Sequence, residues 1–384
     1  MKILHVTPRY NPILGGVQEC INSTSKLLAK KGHQVTIITT NCKFCEETAM
    51  DIKKFGIDVI SFDYLFDLHL FIPSPSMNKW LSDNIKEFDI IHINGTRSYQ
   101  NNQIFKYAKK YDVPYILQPH GSMQRITEIK SLKFMYDMIW GNQIYRNASK
   151  VIALNKTELD SCIRMGVKEE NVVILPNGVN LEDFKNLPKR GEFRKKYAIN
   201  PETKVLLYLG RLHKSKGLDL LIDAYAKTMM QIEDSVLLVA GPDGGFGEIL
   251  KKRSEKLSIN DKIIFTGTID EADKRRALID SDIFVTPRFY GFPITFCEAC
   301  ACRLPIITSS AGDSLDWIDN RVGYVLNYDA ESFCNAIVNI LNDKNILTKF
   351  RHECKRMAEY KFNWPVITEQ LELIYDSVSH KRVS

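Results

Sequence analysis

The stretch 287–305, P-R-F-Y-G-F-P-I-T-F-C-E-A-C-A-C-R-L-P, decides how the rest of the chain is interpreted. It follows residues 283–285, a short apolar run of the kind that forms a buried parallel strand. Gly291 and Pro293 then interrupt the chain, and residues 294–302 contain no helix breaker. The pattern predicts a strand, a tight turn and a helix with Pro293 in its first turn, where the missing N–H costs nothing.

The start of this helix is a candidate phosphate site. The backbone amides of Phe292, Ile294 and Thr295 are expected to face the end of the strand, where a helix N-terminus offers unsatisfied donors and partial positive charge. Glu298 follows one turn later, and its carboxylate would accept hydrogen bonds from sugar hydroxyls. For this stretch taken alone, an ordinary strand–helix turn with a solvated glutamate is the alternative.

The composition describes a globular chain with one locally basic region. Its 384 residues exceed one typical hydrophobic core, so two domains are expected. Most of the formal net charge of +6 lies in residues 97–168, which hold twelve Lys and Arg against five Asp and Glu. Such a region suits a phospholipid surface or a phosphorylated substrate, or it is a solvated basic face. Nucleic acid is not favoured as a partner, because no aromatic platform is interleaved with the cations.

The sequence shows neither a secretory signal nor a membrane-spanning run. The first apolar run ends at Pro8, and no run approaches the roughly 18 apolar residues that a span needs. Nine cysteines without a signal indicate a reducing compartment. A cytoplasmic protein is therefore expected, with peripheral contact at the inner face of a membrane left open. The C-x-x-C of residues 42–45 and the C-x-x-C-x-C of residues 297–302 do not favour a metal site, since the latter falls on a predicted helix whose cysteines do not share one face.

Strands alternate with helices along the whole chain. This alternation predicts parallel doubly wound sheets, in which ligands bind at the carboxyl ends of the strands. The polar residues 181–203, with Pro188 and Pro201, predict a linker between two such domains. His92 lies inside a predicted strand and is expected in the core. The predicted strands are 2–6, 34–39, 57–62, 89–93, 114–118, 150–154, 172–175, 205–209, 236–240, 262–265, 283–285, 306–308 and 324–326, and the last predicted helix is 364–379.

Two further loops at predicted strand ends carry candidate ligand-binding residues. His120, in the sequence P-H-G-S, is placed to donate a hydrogen bond to a substrate hydroxyl or carbonyl. Residues 210–217, G-R-L-H-K-S-K-G, place Arg211 and Lys216 between glycines, which suits a diphosphate because Arg forms forked contacts and Lys supplies a point charge. Together with Glu298, these cations describe a nucleoside-diphosphate site if the strands point into one cleft. A structural histidine and solvated loop charges are the alternatives.

In this order, the motifs resemble those of the GT-B glycosyltransferases of family 4, the retaining nucleotide-sugar enzymes. The resemblance covers almost the whole length and implies an α/β fold of two Rossmann-like doubly wound domains that face each other across a cleft. It implies an acceptor-side domain at 1–180, a nucleotide-sugar donor-side domain at 181–363, and a C-terminal helix within 364–384 that crosses back to the first domain. The matching residues are Gly15-Gly16, His120-Gly121, Asn177-Gly178-Val179, Gly210-Arg211, Lys216-Gly217, Ala240-Gly241, Thr266-Gly267, Glu298-Ala299, Ala301-Cys302 and Leu304-Pro305.

The resemblance implies a role for each matching residue. Arg211 and Lys216 would hold the diphosphate as leaving group, and Glu298 would bind the ribose hydroxyls. Gly16 would lie against the diphosphate or the transferred sugar, which His120 would contact. No metal or other cofactor is implied, because fixed cations and amides can replace a divalent ion at the developing charge. The predicted catalytic residues are His120, Arg211 and Lys216, and the predicted donor-binding residues are Gly16, Gly210, Tyr290, Phe292, Ile294, Thr295 and Glu298.

Tyr290 departs from the family pattern. That pattern has two glutamates eight positions apart and begins E-G-F-G, whereas residues 290–293 are Y-G-F-P. Tyrosine donates or accepts one hydrogen bond and carries no charge near pH 7, and Pro293 has no amide to offer a phosphate. The substitution therefore bears on the donor sugar and on turnover.

We expect a retaining glycosyltransferase that moves a sugar from a UDP- or GDP-sugar to a glycan or lipid-linked acceptor, in cell-surface polysaccharide or glycolipid synthesis. Residues 97–168 would serve the acceptor side, with peripheral membrane contact. Two alternatives stay open. One is a catalytically impaired GT-B binding or scaffold protein, for which Tyr290 is the only support, and the other is a nucleotide-sugar epimerase, which shares the two-domain fold.

Overall fold

The computed structural model describes residues 1–11, 16–68, 71–123, 130–289, 291–310 and 315–379. The chain divides into two compact units. Unit 1 contains Met1–Asn177 together with the chain from Trp364 onward, and unit 2 contains Gly178–Asn363. This division falls a few residues before the predicted boundary between 180 and 181.

Unit 1 is built on a seven-stranded parallel sheet with the strand order β3-β2-β1-β4-β5-β6-β7. Most of its strands are short runs rich in β-branched residues, which favour extended backbone. The strands are β1 (Lys2–Val6), β2 (Gln34–Thr40), β3 (Asp58–Phe62), β4 (Ile90–Asn94), β5 (Tyr115–Gln118), β6 (Lys150–Ala153) and β7 (Val172–Ile174). The helices are α1 (Gly16–Lys30), α2 (Glu46–Lys53), α3 (Pro75–Asn84), α4 (Tyr99–Tyr111), α5 (Lys130–Tyr136), α6 (Asn142–Arg146) and α7 (Lys156–Arg164), with a π-helical turn at Asp137–Gly141.

Side chains alternate between the two faces of this sheet, so each face builds its own core. On one face, Leu4, Ile91 and Leu117 are buried in one apolar cluster with residues of α3, α4, α6 and α7. On the other face, Ile3 and Ile90 are buried in a second cluster with residues of α1. Helices on both faces of a parallel sheet are the layer arrangement of a doubly wound domain.

Unit 2 repeats this architecture on a six-stranded parallel sheet with the order β10-β9-β8-β11-β12-β13. Its apolar core is a cluster of buried side chains from strands and helices, among them Leu206, Leu221, Leu237, Val285 and Ile337. The strands are β8 (Lys204–Leu209), β9 (Ser235–Ala240), β10 (Ile263–Gly267), β11 (Ile283–Thr286), β12 (Ile306–Ser309) and β13 (Gly323–Leu326). The helices are α8 (Glu192–Lys196), α9 (Leu218–Met229), α10 (Gly247–Lys256), α11 (Glu271–Asp280), α12 (Ile294–Ala301), α13 (Ala330–Asn342) and α14 (Lys344–Tyr360).

The last helix, α15 (Trp364–Ser379), packs in unit 1. Trp364 and Tyr375 are buried in the same cluster as α1 and the sheet. Glu372 accepts a hydrogen bond from Lys31 Nζ at 2.7 Å, which ties the helix to the residue after α1. The chain thus leaves unit 1 after β7 and returns to it at its last helix, as the family resemblance implies.

The prediction of a linker at 181–203 is wrong. Phe193 and Arg194 of α8 are buried, and Arg194 Nη1 donates to three carbonyl groups between residues 200 and 203 at 2.7–3.1 Å. Asp280, at the end of α11, accepts hydrogen bonds from the amides of Phe193 and Arg194 at 2.7 and 3.0 Å. The segment is polar because its buried charged groups satisfy one another, and composition alone does not distinguish this from a linker.

Besides α8, two helices were not predicted. α2 buries only Ile52, so its apolar periodicity is weak. α14 follows α13 after Asp343, whose side chain accepts hydrogen bonds from the amides of Asn345 and Ile346. This cap starts a new helix directly after α13.

Both sheets reverse their strand order at one point, between β1 and β4 in unit 1 and between β8 and β11 in unit 2. In open parallel sheets, the loops at the carboxyl ends beside such a point leave a crevice where ligands bind. Arg211 and Lys216 follow β8, Phe292 follows β11, and His120 follows β5, the strand next to β4. The strand order therefore brings the predicted residues of each unit to its own ligand-binding edge.

Candidate functional site

The loop after β8 is held against the loop after β9. A Cβ atom on Gly241 would collide with the carbonyl oxygen of Gly210, so these two strand ends approach closely only because residue 241 is a glycine. Leu212 N donates to Pro242 O at 2.9 Å, which joins the two loops. Arg211 lies between these two contacts, so its backbone is fixed at the strand ends.

A second glycine positions Lys216. The residues Lys214–Lys216 form one 3₁₀ turn, and Gly217, the N-cap of α9, has a left-handed φ of +70°. A Cβ atom on Gly217 would lie 2.5 Å from Tyr328 Oη and 3.2 Å from Pro287 Cβ. The position therefore requires glycine, and the loops that follow β8, β11 and β13 meet beside Lys216.

Lys216 and Arg211 form a pair of like charges. Burial lowers the pKa of Lys216, and the positive charge of Arg211 lowers it further. Neither side chain forms an ion pair or a hydrogen bond with another residue that the structure describes. A partly buried cation without a carboxylate is unfavourable unless an anion joins it, so this arrangement suits a phosphate-bearing ligand.

The first amides of α12 are uncapped. Pro293 occupies the N-cap, one position before the first turn in which it was predicted, with φ −71° and ψ 122°. No side chain caps the helix, and the N–H groups of Ile294 and Thr295 have no acceptor within the described ranges. These donors lie at the positive end of the helix dipole, where an anion is stabilised.

The side chain of Phe292 is not available to a ligand. It is 7% exposed and packs against Trp317 and Phe362, with ring centroids 6.1 and 5.5 Å away. This aromatic cluster holds the turn before α12, so Phe292 can contribute only backbone atoms to a site. Tyr290, the position that departs from the family pattern, lies outside the described residues.

Glu298 is not the solvated glutamate of the alternative interpretation. It is buried, and its Oε1 accepts a hydrogen bond from Lys274 Nζ at 2.7 Å. Burial raises the pKa of Glu298, and the charge of Lys274 opposes this shift. Lys274 was missed because it lies 24 positions away in the sequence, where no local pattern links the two residues. The pair holds the carboxylate in one orientation.

His120 is held at the end of β5 by a residue of β4. Its φ of +55° is left-handed, which is uncommon outside glycine, and its Nε2 donates to Asn94 Oδ1 at 3.1 Å. Burial lowers the pKa of His120 to about 3, so the imidazole is neutral near pH 7. With the proton on Nε2, the buried Nδ1 is an acceptor, and it has no partner among the described residues. His120 can therefore accept a hydrogen bond from a hydroxyl, whereas the sequence suggested that it donates one.

Arg97 supports the loop after β5 and was not predicted. It is buried, and its Nε and Nη2 each donate to the carboxylate of Asp137 at 2.9 Å. Its Nη2 also donates to Met123 O at 2.9 Å, and on the other side Gly121 N donates to Glu158 Oε1 at 2.6 Å. The loop is thus fixed from both sides.

Gly16 is the first residue of α1, and Gly15 lies outside the described residues. The prediction that His92 lies in the core is confirmed, since it is buried with its Nδ1 2.6 Å from Tyr375 Oη.

All nine cysteines are free, and the described residues contain no group of His, Cys, Asp and Glu that could hold a metal ion. None of the described helices combines the length and the apolar composition needed to cross a bilayer.

Comparisons with known proteins cover both halves of the chain. Residues 14–183 match the family model described as Glycosyltransferase Family 4, and residues 189–363 match the model described as Glycosyl transferases group 1. An uncharacterized glycosyltransferase of Methanocaldococcus jannaschii is 23% identical over 98% of this chain and 98% of its own. The UDP-Gal:alpha-D-GlcNAc-diphosphoundecaprenol alpha-1,3-galactosyltransferase of Escherichia coli is 25% identical over 99% of this chain and 98% of its own.

A solved structure shares the fold over nearly the whole chain. HepE of Anabaena in complex with UDP has a TM-score of 0.81 at 18% identity, with 98% of this chain and 100% of HepE covered. HepE in complex with UDP-glucose gives a TM-score of 0.78 at the same identity and coverage. With one family model on each half of the chain, two doubly wound parallel sheets and a fold shared with HepE, this chain belongs to the GT-B glycosyltransferases of family 4.

Proposed function

We propose that this protein is a retaining glycosyltransferase that uses a nucleoside-diphosphate sugar, a UDP- or GDP-sugar, and needs no metal ion. The observation that carries the proposal is Lys216, a partly buried cation beside Arg211 with no carboxylate partner in the described part of unit 2. A diphosphate supplies the missing negative charge at this position. The solved complexes of HepE with UDP and UDP-glucose support this class of donor.

The chain holds residues whose chemistry suits each part of such a donor. The diphosphate would bind to Arg211, Lys216 and the amides of residues 294–295, and the ribose hydroxyls would donate to Glu298. The transferred sugar would donate a hydroxyl hydrogen bond to Nδ1 of His120. Because the cations are held in place before the bond breaks, they stabilise the charge on the leaving diphosphate as a divalent ion does in other enzymes.

Thermal unfolding of the full chain with UDP, GDP, ADP and their sugars tests the donor site. A ligand that binds only the native state raises the unfolding midpoint by mass action, so we expect a clear shift with one nucleotide that Lys216→Ala abolishes. Transfer assays with a chelator present, and NMR of the anomeric proton of the product, then test metal independence and retention. A wild-type protein that shifts with no nucleotide contradicts the proposal, and a shift without turnover favours the impaired binding protein.

We also propose that the acceptor is reached from an anionic membrane surface, on its inner face. Residues 132–140 expose six large apolar side chains, while Asp137 in their midst is buried against Arg97. An apolar face with surplus cations around it, here in residues 97–168, suits an anionic bilayer. The Escherichia coli relative is named for a diphosphoundecaprenol-linked acceptor, which supports a lipid-linked one here. The exposed fractions are Leu132 58%, Phe134 51%, Met135 51%, Met138 63%, Ile139 49% and Trp140 44%.

Flotation with lipid vesicles tests this contact. We expect the full chain to bind vesicles with phosphatidylglycerol more tightly than pure phosphatidylcholine, and salt to weaken the binding. Met138→Ser combined with Ile139→Ser should weaken vesicle binding at least about tenfold, because the face that would enter the bilayer loses two apolar side chains. Met230→Ser, at a methionine of unit 2 that is 87% exposed, is the matched control. Equal binding by the two variants contradicts the proposal.

A further inference from the structure

Arg288, the second residue after β11, is a cation that none of the motifs above uses. Its guanidinium carbon lies 4.2 Å from the centroid of the Tyr328 ring, which is a cation–π contact. Its Nε is buried and has no hydrogen-bond acceptor among the residues that the structure describes. Buried N–H donors in proteins nearly always have an acceptor, so an acceptor from outside the chain is expected here.

The contacts of Gly217 place Arg288 beside the turn that carries Lys216. Tyr328 Oη and Pro287 Cβ lie 2.5 and 3.2 Å from where a Cβ atom on Gly217 would be. Arg288 follows Pro287 in the chain and stacks on Tyr328, so its guanidinium lies at the same strand ends as Lys216. In the described ranges of the chain, no carboxylate pairs with it.

We propose that Arg288 is a third cationic ligand of the donor diphosphate and acts mainly on its departure, an inference that rests on the function proposed above. In the transfer, the bond between sugar C1 and the β-phosphate oxygen breaks, and both bonding electrons stay on that oxygen. The acceptor oxygen bonds to C1 and releases its proton to solvent. The diphosphate of a nucleotide sugar carries two negative charges and gains a third as it leaves. The three positive charges of Arg211, Lys216 and Arg288 balance the three negative charges of the leaving diphosphate.

Stacking on Tyr328 suits this role better than a salt bridge would. The aromatic ring orients the guanidinium without neutralising it, because the ring offers no carboxylate to compete with a phosphate. The N–H groups at the guanidinium edge then remain free to form a forked contact with phosphate oxygens.

Nucleotide binding and turnover of Arg288→Met in the full chain test the inference. Calorimetry compares the nucleoside diphosphate that the wild type binds with its monophosphate. Loss of a charge-assisted hydrogen bond predicts about ten- to a hundredfold weaker binding of the diphosphate, a smaller change for the monophosphate, and a fall in kcat. Arg288→Lys should recover part of the loss, and Tyr328→Leu should weaken diphosphate binding in the same direction. Arg253→Met, at a surface arginine that pairs with Asp223, is the matched control.

Two results overturn the inference. One is a folded Arg288→Met protein with wild-type diphosphate binding and kcat, and the other is an equal loss for monophosphate and diphosphate, which a purely structural role produces. If Arg288→Met does not fold, an unchanged ratio of diphosphate to monophosphate affinity in both Arg288→Lys and Tyr328→Leu overturns it instead. A wild-type protein that binds no nucleoside diphosphate overturns the proposed function itself, so the two failures are distinguishable.

Discussion

The strand-end loops of unit 1 and unit 2 hold their cations in different ways. In unit 1, Arg97 pairs with Asp137 at 2.9 Å, and Arg9, which follows β1, pairs with Asp67 at 2.6 Å. In unit 2, the side chains of Arg211 and Lys216 have no carboxylate partner within the described residues. Both units reverse their strand order at the equivalent place, so the arrangement of strands does not account for the difference.

A positive charge can therefore serve either to hold a loop or to bind a ligand. A paired arginine such as Arg97 holds a loop, because its charge is balanced and its N–H groups are satisfied inside the protein. A cation without a carboxylate partner, such as Lys216, does not hold a loop in this way. Its positive charge instead acts on a ligand that enters the site. The strand ends of unit 1 then present the neutral acceptor of His120, whereas the strand ends of unit 2 present positive charge.

The largest effect is expected when a paired cation is removed. Arg97→Met removes the positive charge that neutralises the buried carboxylate of Asp137, so the free energy of unfolding should fall by about 3–5 kcal/mol. Chemical denaturation measures it, with Lys168→Met, at a side chain 76% exposed, as the matched control. Adding Asp137→Leu to Arg97→Met should restore part of the stability, because no charge then remains buried. A stable single variant would show that the pair does not hold the loop.

Removal of an unpaired cation should act on turnover and spare the fold. Lys216→Met is expected to lower kcat by about a hundred- to a thousandfold, as loss of one preorganised group at the developing charge does in other enzymes. Its thermal midpoint should stay the same or rise, since a desolvated charge has been removed. Lys214→Met, at an exposed lysine of the same turn, is the control. A large loss of stability with little change in kcat would reverse the assignment.

Local sequence signals predicted the strands and helices of both units. They did not predict the charge pairs within each unit. β1 and α15 have their predicted bounds, because the apolar pattern that marks each of them is visible in the local sequence. The Arg97–Asp137 and Lys274–Glu298 pairs join positions 40 and 24 apart, and a pair of charges at such a distance has no local pattern.

The same limit applies to the candidate site. The glycines at 210 and 217 were identified because a tight turn between a strand and a helix requires them. Phe292 was assigned to the donor by its place in the motif, but its ring lies in a cluster with Trp317 that only tertiary packing reveals. Arg288 stands in the stretch that predicted the site, yet its lack of an acceptor is a property of the folded chain.

Mild acid should destabilise unit 1 before unit 2. Burial lowers the pKa of His5 to about 4 and holds the pKa of His92 well below its usual value, and the two rings lie 5.0 Å apart. Histidine in an unfolded chain titrates near 6.5, so the unfolded state binds more protons as the pH falls from about 6.5 to about 4. Stability is therefore full above pH 6.5 and declines below it, by about 2 kcal/mol for His5 at pH 5.

Unit 2 is expected to lose stability only at lower pH. Hydrogen bonds lower the pKa of Asp243, Asp273 and Asp329, so the stability that these carboxylates contribute is lost only below about pH 4. Hydrogen exchange at pH 7 and pH 5, corrected for the intrinsic rate, should show earlier loss of protection in unit 1. His5→Gln should reduce the pH dependence, whereas His352→Gln, at a side chain 75% exposed, should not. Earlier loss in unit 2 would contradict the account.

The smallest effect is expected at His120, the neutral acceptor proposed above for the transferred sugar. His120→Asn suits the left-handed φ of +55°, which Asn tolerates, so it removes the imidazole acceptor with little backbone strain. Loss of one neutral hydrogen bond predicts a fall of up to about tenfold in kcat/KM for the nucleotide sugar. The Kd of the free nucleoside diphosphate should not change, because no charge is lost, whereas Lys216→Met should weaken both ligands. If His120→Asn weakens the free nucleoside diphosphate as much as the sugar nucleotide, His120 does not act through the transferred sugar, and the role proposed for it fails.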